Sequence, residues 1–378
     1  RKQQAIREDS LRHLKIQLGL VDVLAEAAAA EAAENRRQRN RCHRRRRQAR
    51  AAGCLDDLLE KLAPEVLTHR HFLPDLCSTC CGLCEERVEW ARVPAVLQPG
   101  SGDLGGLAHD PHRVTRKRWQ LESLFLALRH VLAHHRPGKG TMLINAKNAA
   151  DAGPNEKQGE RKFHLVDFGS GTGNSVLAIA ALLPAFGITL VEASEEDVNI
   201  SRRRVADAGL QNVTVWHGDV ADFRVAFDVG LATHLCGEGS DLAQAKCLEH
   251  RAAFVLTPCC LGMVKHVLQG QFRNQGVPEN IRSSPSGGGV QLQYPRSKWL
   301  QQHMGTSEYM ELVRLCDCNH KDASNGAIAS AAVASKQLLD ADRLKLAAEA
   351  GYETFCGKLW PEEASKKNDV LIGWPRDQ

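Results

Sequence analysis

Aromatic residues are scarce: Phe, Tyr and Trp make up 5% of the 378 residues, so the core must be built mostly from Leu, Val, Ile and Ala. Long apolar runs are missing as well. The longest, residues 176–191, is interrupted by Pro184, Gly187 and Thr189. A membrane helix needs about 20 consecutive apolar residues, so no membrane segment is expected. Residues 1–53 contain no proline, and their only glycines are Gly19 and Gly53. Leucines there alternate with Ala and Arg, which favours one or two helices. No internal repeat and no signal peptide are read, and Arg1 in place of Met leads us to expect a missing upstream segment.

What is present is ordinary in bulk. Hydrophobic residues at 43% and charged residues at 25% exclude a wholly disordered or collagen-like chain. The length suggests two or three structural units at roughly 150 residues each. The net charge of +4 hides an asymmetry, because residues 1–53 hold 14 basic and 6 acidic side chains, nine of them arginines between Arg36 and Arg50. Such a run, with Arg44, Arg45, Arg46 and Arg47 consecutive, suits a polyanion and equally suits a solvated helix face. Thirteen cysteines, some as close as Cys80-Cys81, Cys259-Cys260 and Cys316-Cys318, read as reduced thiols. An intracellular, reducing compartment is expected, the cytoplasm favoured and an organelle the alternative.

Three parts follow along the chain: a basic helical arm (1–53), a Cys/His-rich module (54–112) and an α/β domain (113–378). Within the module, Cys77, Cys80 and Cys84 have C-x2-C steps that suit a zinc knuckle with one distant ligand. A Cys-rich packed helix is the rival reading, and a redox pair is a third. The last part opens with a helix over 115–134 behind Arg116, Lys117 and Arg118. Strands and helices then alternate, with strands over 163–167, 188–192, 213–216, 228–232 and 253–256 and helices over 175–183, 195–208 and 242–250. A mostly parallel sheet with helices on both faces is predicted. Residues 269–293 read as a surface insertion and 319–335 as a second loose segment. A helix over 340–350 and a strand at 370–372 close the chain.

The informative turn is Asp167-Phe-Gly169-Ser-Gly171-Thr-Gly173, after a strand and before a helix. Glycines there let backbone approach a ligand without a Cβ clash. A dinucleotide loop would put its third glycine at Asn174. The D-x-G-x-G-x-G spacing instead resembles the first motif of the class I S-adenosylmethionine-dependent methyltransferases. That resemblance implies a Rossmann-like fold with S-adenosylmethionine as cofactor. It assigns the methionine part to Asp167, Gly169, Gly171 and Gly173, the ribose hydroxyls to Glu192 and the adenine to Asp219.

The next two strand ends read His234-Leu-Cys236-Gly237-Glu-Gly-Ser-Asp241 and Thr257-Pro-Cys259-Cys260-Leu-Gly262. H-x-C-G-x-x-x-D with P-C-C-x-G resembles the methyltransferase domain of the glutathione S-transferase C-terminal domain-containing proteins. The likeness runs from about Arg116 to the end, without a counterpart of their glutathione-transferase-like domain, so glutathione chemistry is not implied. The first of these motifs also resembles, in part, the tRNA 2′-O-methyltransferases that modify position 4 of the acceptor stem.

His234 is the candidate proton acceptor, since its ordinary pKa of about 6.5 suits neutral pH. Its alternative is a backbone hydrogen bond only. Asp241 either orients the imidazole or caps the next helix. Cys259 and Cys260 line the pocket, attack a pyrimidine ring, or bind metal with Cys236 and His234. The reading reached is an S-adenosylmethionine-dependent methyltransferase acting on RNA, tRNA foremost, with the basic arm and Arg116, Lys117 and Arg118 on the phosphates. Protein or small-molecule methylation is the alternative, and a catalytically silent RNA-binding or assembly scaffold is another.

Overall fold

The computed structural model describes residues 32–34, 36, 62, 70–72, 88–101, 110–135, 163–259, 261, 264, 292–316, 326–365 and 368–376. The chain divides into two compact units, 1–54 and 55–378. In the first, residues 32–34 and 36 are helical and exposed. The calls on Arg44 to Arg47, Cys77, Cys80, Cys84 and Cys260 lie outside the described residues.

In the second unit the chain runs β1 (Arg70–Phe72), α1 (Pro111–His135), β2 (His164–Phe168), α2 (Leu177–Leu182), β3 (Gly187–Glu192), α3 (Glu195–Asp207), β4 (Val213–His217) and β5 (Val229–Thr233). It continues through α4 (Gly239–Glu249), β6 (Ala253–Thr257), α5 (Lys298–Gln301), α6 (Thr306–Cys316), α7 (Gly326–Glu349), β7 (Tyr352–Lys358) and β8 (Asp369–Pro375). The eight strands form one sheet in the order β1-β7-β8-β6-β5-β2-β3-β4. Only β8 is antiparallel, to both β6 and β7.

The central strands read as apolar runs because both of their faces are covered. Side chains alternate across the sheet. Leu165 joins the core cluster that holds α1 and α2, while Val166 and Phe168 join the one beneath α4 and the end of α7. Asp167 has the parity of Leu165, so the same alternation directs it to the α1 side. Helix α3 starts where Ser194 accepts from the Asp197 amide at 3.3 Å, with Glu195, Glu196 and Asp197 in its first turn. Both features stabilise a helix N-terminus. The strand order reverses between β2 and β5, which opens a crevice at the carboxyl ends of the strands.

The ends of the domain depart from expectation. Residues 319–335 are not loose throughout, for α7 begins at Gly326. Its alanines have high helix propensity, and Ser335, Leu338 and Leu339 are buried. Strand β7 and helices α5 and α6 were not anticipated either. A buried ionic network joins this region to the sheet: Asp241 of α4 pairs with Arg343 of α7 at 2.7 Å, and Lys336 with Asp340 at 2.6 Å and Asp369 at 2.7 Å.

Candidate functional site

The glycine turn leaves β2 in the left-handed region at Gly169 and Gly171, with φ of +66° and +53°. A Cβ on Gly169 would lie 2.3 Å from Leu235 Cδ1, so the turn packs against the chain that leaves β5. At Gly171 a Cβ would meet nothing within 4 Å. Here glycine meets a backbone requirement and leaves open space beside the crevice.

Helix α3 and the end of β3 hold the turn. Ser201 Oγ donates to the Gly171 carbonyl at 2.9 Å, and Arg204 donates to the Thr172 carbonyl at 2.6 Å and to Asn174 Oδ1 at 2.7 Å. Glu192 accepts the Gly171 amide at 2.8 Å through Oε2, and the Ala193 and Ser194 amides at 2.8 Å through Oε1. A carboxylate has about four acceptor positions, so Oε2 keeps capacity for a further donor. Sequence reasoning missed Ser201 and Arg204, whose only signal was their place on the helix following Glu192.

Asp167 is fully buried, and its Oδ2 has no hydrogen-bond partner among the described residues. Burial pushes its carboxyl up to about 7, against the pull of Lys117, with Glu192 adding to the rise. Lys117 is half-buried, and its ammonium donates to Ser175 Oγ at 2.9 Å. Burial lowers its pKa to about 8, opposed by Asp167 and helped by Arg204. The ammonium expected on RNA phosphates is thus engaged with Ser175 in this structure. Arg118 is likewise engaged, 5.1 Å above the Trp90 ring and donating to Gln98 Oε1 at 3.3 Å. Arg116 is exposed, its Nε donating to the His112 carbonyl at 3.3 Å.

His234 sits just beyond β5 in the left-handed region, with φ of +57°, and its amide donates to the Thr257 carbonyl at 3.3 Å. Burial, then the Lys117 charge, lowers its pKa to about 4. The expected near-neutral titration is therefore corrected: the imidazole is neutral at neutral pH and a weak base. Asp241 does not orient it. Both Asp241 oxygens serve Arg343, at 2.7 Å and 2.9 Å, and Oδ2 also accepts from Tyr294 at 3.0 Å. The Arg343 and Arg296 guanidiniums overcome burial and hold this carboxyl below its ordinary range. Nor does Asp241 cap α4, since it lies within the helix.

Asp219 caps the short turn over Val220–Asp222, accepting the Ala221 amide at 2.8 Å, and burial raises its pKa. Glu238 lies in the segment beyond β5, between His234 and Asp241. Burial, with Asp241 and Asp219 adding, raises its pKa to about 7. Cys236 Sγ is 3.5 Å from Cys259 Sγ and 3.4 Å from the His234 carbonyl. Among the described residues no group of three or more His, Cys, Asp and Glu side chains is placed to hold a metal ion. No described helix is long and apolar enough to cross a membrane.

Residues 160–320 match a family model described as a methyltransferase domain. The match and the strand order together give this segment the fold of a class I methyltransferase. The methyltransferase domain is also similar to the glutathione S-transferase C-terminal domain-containing protein of Macaca fascicularis, 26% identical over 291 residues. That alignment covers 76% of this chain and 37% of the relative. The Drosophila melanogaster homolog of that protein is 25% identical over 292 residues, 76% of this chain and 40% of its own length. The chain thus spans less than half of the curated relatives it matches. A solved fibrillarin/Nop5p complex covers 58% of this chain and 78% of its own at 12% identity, with a TM-score of 0.31, too slight a likeness to carry weight.

Proposed function

We propose that this domain binds S-adenosylmethionine at the carboxyl ends of β2, β3 and β4 and methylates RNA, with tRNA the favoured class. One observation carries the cofactor reading: among the described residues the buried Asp167 oxygen has no partner, and it stands beside a glycine turn that is open at Gly171. A buried acceptor left unsatisfied costs about 1–3 kcal/mol, and the ammonium of an amino acid would relieve that cost. In this reading Asp167 takes the cofactor's amino group, Glu192 Oε2 a ribose hydroxyl and Asp219 the adenine edge. When bound, the cofactor supplies an activated methyl group on a sulfonium.

The chain's own part is alignment and exclusion of water. His234, neutral and weakly basic, suits an acceptor that sheds its proton readily. The RNA part is supported by the arginines of 36–50 and the exposed Arg116. Basic contacts of this kind give salt-dependent, sequence-independent affinity.

Calorimetry with S-adenosylmethionine on wild type and Asp167→Ala tests the cofactor reading. Micromolar binding lost in the variant supports it, whereas no binding by folded, reduced wild type points to a silent scaffold. Labelled-methyl transfer to an RNA pool, compared with protein and metabolite pools, tests the substrate. RNA affinity is expected to fall steeply with salt and to drop when residues 1–53 are removed. If that truncation leaves RNA binding intact, the arm plays no part.

A further inference from the structure

The sheet brings together two thiols that lie 23 residues apart in sequence, Cys236 beyond β5 and Cys259 beyond β6. The two strands run parallel and in register as far as Thr233 and Thr257, and the His234 amide adds one more bond, to the Thr257 carbonyl at 3.3 Å. There the chain turns, with left-handed backbone at His234 and Gly237, φ +57° and +68°. Ser240 Oγ holds the turn by donating to the Leu235 carbonyl at 2.7 Å, and the Gly239 amide donates to the Cys236 carbonyl at 3.3 Å. A Cβ on Gly239 would lie 2.5 Å from Leu235 Cγ, so the turn is also tightly packed. Cys236 Sγ is thereby placed 3.4 Å from the His234 carbonyl and 3.5 Å from Cys259 Sγ.

Both are reduced thiols, Cys236 exposed and Cys259 half-buried. The other described cysteines are less accessible than Cys236: Cys247 and Cys316 are buried and Cys356 is half-buried. Burial also pushes the Cys247 thiol up, away from the thiolate that reacts. A disulfide needs its sulfurs about 2.05 Å apart, so this pair has to close by about 1.5 Å, a distance that side-chain rotation covers.

We propose that Cys236 and Cys259 are a modification site, oxidised by a peroxide to a reversible disulfide across the ends of β5 and β6. Cys236, the exposed thiol, reacts first. Its thiolate attacks one peroxide oxygen, the O–O bond breaks, and the departing oxygen takes a proton. The Cys259 thiolate then attacks the sulfur of the resulting sulfenic acid. The S–O bond breaks, its oxygen leaves as water, and the S–S bond forms. Two electrons pass from the two sulfurs to the peroxide, and a thiol reductant reverses the change by exchange. Transient, redox-sensing disulfides are the kind that a reducing compartment allows. The bridge would tie the turn after His234 to β6 and take the Cys236 S–H from the His234 carbonyl, at strand ends that line the crevice. The identity of the methyl acceptor does not enter this inference.

The experiment treats the reduced full chain with hydrogen peroxide, alkylates the remaining thiols in denaturant and maps the peptides by mass spectrometry. A Cys236–Cys259 cross-link is expected, lighter than its two thiol peptides by two hydrogens and removed by dithiothreitol. Alkylation is expected to be lost at both residues and kept at buried Cys247. Cys236→Ser and Cys259→Ser should each abolish the cross-link, whereas Cys260→Ser should keep it, with circular dichroism confirming each fold. In Cys259→Ser the sulfenic acid at Cys236, left without its resolving thiol, should accumulate and be trapped by dimedone. Should a variant fail to fold, fragment ions from the wild-type cross-link separate Cys259 from Cys260. A Cys236 that stays alkylatable through the treatment overturns the inference. So does a bridge from Cys236 to Cys260 or to any other cysteine, or one between Cys259 and Cys260.

Discussion

Asp167 and Lys117 each carry a charge that burial opposes, one raised to about 7 and the other lowered to about 8. Cofactor binding through the Asp167 carboxylate needs that group ionised. Affinity should therefore weaken as pH falls below about 7, where Asp167 takes up a proton. Glu192 faces Asp167, and Arg204 and His234 face Lys117, so these groups share in the curve. Calorimetry from about pH 5.5 to about 8.5, roughly 1.5 units on either side of the Asp167 value, should record the loss on the acid side, and a flat profile would refute the assignment. His234 offers a separate readout. The Lys117 charge helps to hold its pKa near 4, so Lys117→Met should move the imidazole titration upward, as NMR of the ring protons would record. None of this was legible in the strand-end motifs, because a neighbour's field acts through space.

At the scale of elements, α3 acts as a clamp on the glycine turn through Ser201 and Arg204. Arg204→Met removes donors to the Thr172 carbonyl and Asn174 at a buried site. A loss of about 1–3 kcal/mol in urea unfolding is expected, together with weaker cofactor binding. Unchanged affinity would show that the turn keeps its shape without the clamp. Gly169→Ala should be worse tolerated, since the left-handed backbone costs a non-glycine residue about 1–2 kcal/mol and the new Cβ collides with Leu235. The elements themselves were unevenly legible. Strands β2, β3, β5 and β6 announce themselves as apolar runs between turns. Helix α7 was legible only in its second half, over 340–350, because its first part is rich in Ala, Ser and Gly, and the packing of the helix against α6, β7 and β8 secures it. Strand β7 was hidden too, since Glu353, Thr354 and Gly357 interrupt any alternation.

Across the whole domain, Asp241 links α4 to α7 and to the segment carrying Tyr294 and Arg296. Removing one partner of such a buried pair costs about 3–5 kcal/mol, so Asp241→Ala should unfold at distinctly lower urea, while its effect on catalysis should follow stability. A folded variant of normal stability and no activity would restore Asp241 to a role at the site. The sign with pH is fixed by its depressed carboxyl. Its contribution is fully present above the unfolded value of about 3.9 and is lost as pH falls toward the folded one.

By itself the sequence determined what depends on neighbours along the chain: the apolar strands, the D-x-G-x-G-x-G turn, and the acids Glu192 and Asp219 at successive strand ends. These follow from side-chain period and backbone sterics, which act over a few residues. Only the tertiary structure decided which charges meet. Asp241 finds Arg343 across 102 residues rather than His234 nearby, and Lys117, expected on phosphates, is engaged with Ser175 across 58 residues. Burial then sets their protonation, because the cost of a charge depends on what surrounds it in space.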